Sequence, residues 1–427
     1  MTRHRILFGL LSPGLGGHTR TAVALARVLR DRGHLVDVLV RDDRTTSSAE
    51  TDALVHEAGF ATVPIAGLYS WAGHGAFRRH LRDIVRRGDY DAIHWFEFYD
   101  AVRDAALVAR ETGRAFVWTV TSGGVPIDYY GLNRVVVFTR EVAEDAARRS
   151  PGSKVYVLPA RIDFRALTLE ARARARREIR HAFAVSDKDV LVVRVGRCAS
   201  VYLHSVRLGI ALVSRLNHDG HRATFLHAGF VHQPDVALEI RTLVEQANAE
   251  AGRTIAHSVT EGLETGTHYA AAADVCIGSG RTAIEAIALD RPTLVAWGAR
   301  YLGLVDEANI ATMADTNFQG RQSQTIVSDA DVVAQMAHAV CGRLASDDAT
   351  PIQASCAQFV RERYSVESAA DVYEQLYADR TVTVAGALAH FSNPQHLGRE
   401  ILRRLPAGLA NRGVIARLRQ TRASPTS

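Results

Sequence analysis

The residue types best suited to chemistry are concentrated between Asp274 and Val295. A polar loop, Gly278-Ser279-Gly280-Arg281-Thr282, follows a short apolar run, Val275-Cys276-Ile277, and precedes a run with helical spacing, Ala283 to Leu289. Glycines let a backbone come close to a phosphate. The start of a helix aims unpaired N–H groups and a partial positive charge at it. Glu285 falls about one turn into the helix, where a carboxylate can accept bonds from ribose hydroxyls. The plainer reading is that Glu285 is a solvated helix residue.

The elements around this stretch alternate. Asp290-Arg291-Pro292 stops the helix, because proline cannot continue it, and the strand Thr293-Leu294-Val295-Ala296 follows. At the N-terminus, Arg5 to Leu11 reads as a buried strand and Ser12 to His18 as a glycine-rich turn. Thr19 to Arg32 reads as a helix capped by Gly33, and Leu35 to Val40 as the next strand. That βαβ unit predicts a parallel, doubly wound sheet. The spacing of Gly14, Gly16 and Gly17 is not the dinucleotide fingerprint. Tyr90 to His94, Ala115 to Thr121, Asn133 to Phe138 and Lys154 to Pro159 continue as strands. Leu167 to Arg180, charged and rich in Arg and Ala, reads as a connection. Asp189 to Val195, Arg222 to Gly229 and Ile255 to Val259 open a second series of strands. The expected fold is therefore α/β, with two doubly wound Rossmann-like lobes of ~180 residues each.

The 427 residues allow two ordinary domains, and the 47% hydrophobic share is enough for real cores. No apolar run approaches the ~20 residues of a membrane span. The apolar run at the N-terminus is short and lacks a small-residue cleavage site, so no secretory signal is expected. The four cysteines, Cys198, Cys276, Cys341 and Cys356, show no metal-ligand spacing. A reduced, cytoplasmic compartment fits them. Net charge is +5, and of the 51 basic residues all but Lys154 and Lys188 are arginine. No nucleic-acid module with its defining spacing is present.

The stretch from Ile277 to Glu285 resembles the donor site of GT-B glycosyltransferases, most closely those of glycosyltransferase family 4. That family has two glutamates flanking a Gly-Phe-Gly-like turn. Here Gly278-Ser279-Gly280 is the turn and Glu285 the second glutamate, while Ile277 stands where the first would face the donor sugar. The resemblance runs from about residue 3 to 380. It implies a GT-B fold with a central cleft: 1–165 as the acceptor-side domain, 166–188 as the connection, 189–363 as the nucleotide-sugar donor domain, 364–380 as a helix returning to the first lobe, and 381–427 as a basic tail.

The family's Gly-Arg turn, which stabilises charge on the departing diphosphate, is matched by Gly196-Arg197. Its lysine is missing, and Arg281 or Arg207 is the expected replacement. The loop amides of Gly280, Arg281 and Thr282 are expected to hold the distal phosphate. Ser258, in the segment His257 to Thr260, is expected beside the nucleotide base. Gly16, Gly17 and His18 in the first loop, and Ser122 and Gly123 after a strand, are expected to line the cleft. His94 matches a family histidine, read either as a catalytic cleft residue or as a satisfied core histidine. The family's second histidine is Phe96 here, Thr121 and Ser122 stand where another is common, and Pro159-Ala160-Arg161-Ile162-Asp163 replaces its Pro-Asn-Gly-Val/Ile-Asp turn.

What the resemblance implies is transfer of a sugar from a nucleotide-diphosphate sugar to an acceptor hydroxyl, retaining and metal-independent, with no cofactor. The departures point to a divergent branch with an unusual donor or acceptor, or to lost activity. An inactive nucleotide-sugar-binding subunit, or an epimerase or hydrolase on the same fold, stays open. The acceptor is a small molecule, a glycan or a lipid-linked sugar. Ala66 to Phe77, with Tyr69 and Trp71, reads as an acceptor loop or as surface cover. In the tail, Leu397, Ile401, Leu402 and Leu405 share one helical side beside Arg399, Arg403 and Arg404. Such a segment can touch an anionic membrane surface weakly, making the protein peripheral there, or can pack on the first lobe.

Overall fold

The computed structural model describes residues 3–10, 17–41, 61–65, 71–96, 101–121, 132, 134–149, 152–159, 161–165, 167–260, 266–298, 300–319, 329–345 and 349–382. Two sheets are present. The first joins β1 (Arg5–Gly9), β2 (Leu35–Arg41), β3 (Ala61–Ile65), β4 (Ala92–Trp95), β5 (Ala115–Thr119), β6 (Val135–Val137) and β7 (Val155–Val157) in the order β3-β2-β1-β4-β5-β6-β7. All of its pairings are parallel. The second joins β8 (Val190–Val195), β9 (Ala223–Ala228), β10 (Ala256–Val259), β11 (Val275–Gly278), β12 (Thr293–Trp297) and β13 (Arg300–Leu304) in the order β10-β9-β8-β11-β12-β13, with only the last pair antiparallel.

The strands read as unbroken apolar runs because both faces of each sheet are covered. Ile6 and Phe8 pack under α1 (Gly17–Asp31), while Leu7, between them, packs with Ile93 and Trp95 under α2 (Trp71–Arg87) and α3 (Ala101–Thr112). After α4 (Arg140–Arg149), α5 (Leu169–Ala182) begins with Thr168 Oγ1 accepting the Ala171 N–H at 3.1 Å. The second sheet is covered on one face by α6 (Ser200–His218), α7 (Pro234–Ala251) and α11 (Asp329–Ala345), and on the other by α5 and α8 (Gly266–Ala272). Beyond the sheet lie α9 (Arg281–Ala288), α10 (Ile310–Asp315) and α12 (Ala349–Tyr364).

The Arg/Ala-rich run forms α5, and it is fastened to the second sheet. Arg176 and Arg180 each place a nitrogen 2.9 Å from a different oxygen of Asp274, and Asp274 Oδ2 also accepts the Leu191 N–H at 2.8 Å. The last helix, α13 (Glu367–Ala378), buries Tyr373, Leu376 and Tyr377 in the first-lobe core. The chain crosses back through a parallel bridge between Ile162 and Ser365. Residues 71–77 are helical and Phe77 is core, so Ala66 to Phe77 is not a loop throughout. Residues 66–70 and 383–427, and with them the amphipathic segment of the tail, lie outside the described residues. Among the described residues, no helix is long and apolar enough to cross a membrane.

Candidate functional site

In each sheet the strand order reverses once, between β1 and β4 and between β8 and β11. Ligands of doubly wound sheets bind outside the carboxyl ends of the strands at that switch. Gly196-Arg197 leaves the end of β8, and Gly278-Ser279-Gly280 leaves the end of its neighbour β11.

The β8 turn depends on close backbone approach. A Cβ on Gly229, just past β9, would lie 1.8 Å from the Gly196 carbonyl oxygen, so only glycine fits there. Arg197 is exposed, with its guanidinium carbon 5.5 Å from the Tyr202 ring centroid. Among the described residues no carboxylate pairs with it.

The β11 turn is held by Gly280, whose φ of 56° and ψ of −130° are conformations for glycine. Its N–H donates to Phe318 O at 3.1 Å. The sequence reading gave that amide to a phosphate, but the structure engages it, which leaves the Arg281 and Thr282 amides, in the first turn of α9, without an acceptor among the described residues. The helix is buried around its girth by Ala283, Ile284, Ala286, Ile287 and Ala288, so its axis is fixed. Ile277 is fully buried in the core with Val275 and Leu294, so it does not line a surface.

Glu285 is buried and paired. Arg281 Nε donates to Glu285 Oε1 at 2.6 Å. Arg281 neither faces solvent nor points freely into the donor loop. Its Nη1 reaches the first lobe, 3.4 Å from Thr21 Oγ1 and 3.5 Å from Arg161 O, over the start of α1 at Gly17. Arg20 of α1 comes within 4.0 Å of where a Cβ on Gly266 would stand, so the α1 start faces both α8 and α9. Burial lowers the Arg281 pKa, the Glu285 carboxylate raises it, and the Arg20 charge adds to the lowering.

Two expected residues do not join the site. Arg207 turns to α7 and pairs with Glu239 at 2.5 Å, so it does not supply the missing lysine charge. His94 is the satisfied core histidine: it is fully buried, with Nδ1 2.7 Å from Tyr377 Oη and Nε2 2.7 Å from Thr119 Oγ1. Burial drives its pKa well below the usual histidine range. The catalytic reading of His94 fails because α13 covers the β4 face on which it sits. Phe96 stacks on its ring at 4.1 Å.

Ser258 lies on β10, half-buried, and its Oγ is buried without a partner among the described residues. Gly17 begins α1 and is exposed, and His18 is half-buried. Gly16, Ser122 and Gly123 lie outside the described residues. Among those residues no three His, Cys, Asp or Glu side chains come together in a set that could hold a metal ion.

Sequence reasoning passed over two buried arginines. Arg161, at the altered turn after Pro159, lies 4.3 Å over Phe138 and 5.3 Å from Tyr364, donates to Pro159 O at 2.8 Å and bonds Asn317 Oδ1. It thereby links the two lobes, and burial lowers its pKa to about 10. Arg194 stands under the Gly196 turn, where an arginine interrupting the apolar run Val190 to Val195 was the available signal.

A family model described as Glycosyltransferase Family 4 matches residues 15–163. A search of the curated proteins finds no sequence match. Among solved structures, a glycosyltransferase from Rickettsia africae is similar with a TM-score of 0.69 and 14% identity, over 89% of this chain and 99% of that one. The Anabaena protein HepE, solved with UDP and glucose, gives 0.61 and 14% over 88% and 100%. The pneumococcal O-GlcNAc transferase GtfA, solved with UDP and GlcNAc, gives 0.59 and 10% over 89% and 99%. With two doubly wound lobes and these likenesses, the chain has the GT-B fold, and its residues 15–163 are similar to glycosyltransferase family 4.

Proposed function

We propose that the protein transfers a sugar from a nucleotide-diphosphate sugar to an acceptor hydroxyl, with retention and without a metal ion. The observation that carries this is the pair of glycine turns, at Gly196 and Gly278–Gly280, on adjacent strands at the switch point, opposite the start of α1. The diphosphate lies between the Arg197 guanidinium and the amides of Arg281 and Thr282. An arginine fork and oriented N–H groups stabilise growing negative charge without reorganising. Ser258 stands at the base end, and Glu285 takes the ribose once its Arg281 bond yields. The bond from the sugar C1 to the phosphate oxygen breaks, and a bond from C1 to the acceptor oxygen forms on the same face. The acceptor proton passes to the departing diphosphate. The acceptor, a small molecule, glycan or lipid-linked sugar, enters from the first lobe.

HepE and GtfA were both solved with UDP, which places UDP first in the binding panel. The test is calorimetry of the purified protein against UDP, GDP, dTDP and ADP, with and without EDTA, followed by assay of the matching sugar nucleotides for transfer. One nucleotide bound equally well with EDTA, and lost in Glu285→Ala, is the expected result. No binding by any of the four overturns the reading. Binding without transfer by the protein alone turns it into a nucleotide-sugar-binding subunit.

A further inference from the structure

Arg194 is 3% exposed, and no aspartate or glutamate pairs with it among the described residues. Buried arginine is ordinarily paired. Of the other buried arginines, Arg180 has Asp274 and Arg134 has Asp379, while Arg161 bonds the neutral Pro159 O and Asn317 Oδ1. The surroundings of Arg194 are likewise neutral. Nε donates to Ser205 Oγ at 2.7 Å, and Nη1 donates to Gly196 O at 3.3 Å and to His227 Nδ1 at 3.1 Å. Accepting at Nδ1 leaves His227 with its proton on Nε2, which lies 3.6 Å from Cys198 Sγ. That thiol in turn donates to Gly229 O at 3.6 Å. Burial pushes the Cys198 thiol up and the His227 imidazole well down, so neither carries a charge at neutral pH. Burial lowers the arginine only to about 10, so it stays charged.

The network ends on Gly196 and Gly229, the two glycines whose close approach makes the turn. Arg194 also shares a ring with the exposed arginine of that turn: its guanidinium carbon, like that of Arg197, lies 5.5 Å from the Tyr202 centroid. A charge with no counter-ion among the described residues thus sits directly beneath the Gly196 turn.

We propose that Arg194 is a positioning residue for the donor diphosphate, and that it supplies the second positive charge which Arg207 does not. It fixes the Gly196 carbonyl so that Arg197 projects, and the bound diphosphate is its counter-ion. This rests on the nucleotide-sugar reading of the site. The ligand class it selects is a nucleoside diphosphate over the monophosphate, which carries less charge at the same place.

The test is calorimetry of the full chain with UDP, GDP, dTDP and ADP and with the four corresponding monophosphates, on the wild type and on Arg194→Met, Arg194→Gln and Arg194→Lys. For the nucleotide that binds, the diphosphate-to-monophosphate affinity ratio falls about tenfold or more in Arg194→Met and stays within about threefold of wild type in Arg194→Lys, because a buried charge acts at low effective dielectric. If Arg194→Met does not fold, Arg194→Gln is read in the same way, since its amide still donates to one of the neutral acceptors. An unchanged ratio in the neutral variant overturns the proposal and leaves the nucleotide reading standing. A lysine variant as poor as the neutral one also overturns it. A wild type that binds no diphosphate removes both together.

Discussion

Arg281 Nε donates to Glu285 Oε1 at 2.6 Å, while the same guanidinium reaches Thr21 Oγ1 of the opposite lobe at 3.4 Å. The carboxylate proposed to take the ribose is therefore held by a residue that also touches the first lobe. Removing Arg281 leaves a buried carboxylate unpaired, which costs about 3 kcal/mol. Arg281→Ala is expected to lower the urea midpoint accordingly, and the double variant with Glu285→Ala to recover most of the loss. A double variant as unstable as the single would show that the pair does not act as a unit.

Arg197 is exposed and bound to no carboxylate among the described residues, so its removal leaves the fold alone. Arg197→Ala is expected to keep its melting temperature while losing transfer rate by about 10²-fold, the usual effect of deleting one transition-state donor. A rate within a factor of three of wild type would take Arg197 out of the site.

Gly229→Ala places a Cβ 1.8 Å from the Gly196 carbonyl oxygen. Either β9 or the β8 turn must shift. The expected destabilisation is about 2–4 kcal/mol in urea unfolding, accompanied by weaker nucleoside diphosphate binding. Normal binding in a folded Gly229→Ala protein would contradict the close-approach argument.

His94 and His227 are held neutral in the fold by burial, well below the ordinary value of 6.5. Below pH 6.5 the unfolded chain takes up protons that the folded chain refuses. Their stability contribution is complete above that pH and declines as pH falls through it, by about 1.4 kcal/mol per pH unit for each histidine. Urea unfolding at pH 7.5, 6.5 and 5.5 should show the decline, and His94→Gln should show a shallower one. An equal slope in the variant would mean that His94 is protonated in the fold.

Asp274 accepts from Arg176, Arg180 and the Leu191 N–H. Asp274→Ala strands two arginines, one of them 3% exposed, and should destabilise the second lobe by about 3–5 kcal/mol. Increased proteolysis within residues 169–182 would locate the loss.

The alternation of apolar runs and helical spacing determined the two doubly wound lobes, because parallel strands covered on both faces read as continuous Val, Ile and Leu. Glycines and proline marked the β11 turn and the start and stop of α9, since local backbone conformation sets both. Residue type and spacing thus named Gly278, Gly280 and Glu285, while the resemblance to family 4 named Gly196 and Arg197. Partnership was not written in that pattern. Which arginine meets a carboxylate depends on residues far apart in the chain: Arg207 finds Glu239, Arg281 finds Glu285 and Thr21, and His94 is closed off by Tyr377 from a helix 283 positions away. Arg194 interrupts the apolar run of β8, and only the packing of β9 and α6 around it surrounds its charge, among the described residues, with neutral groups beneath the turn. Sequence fixes what each segment does locally; burial and charge pairing belong to contacts that exist only once the lobes have folded.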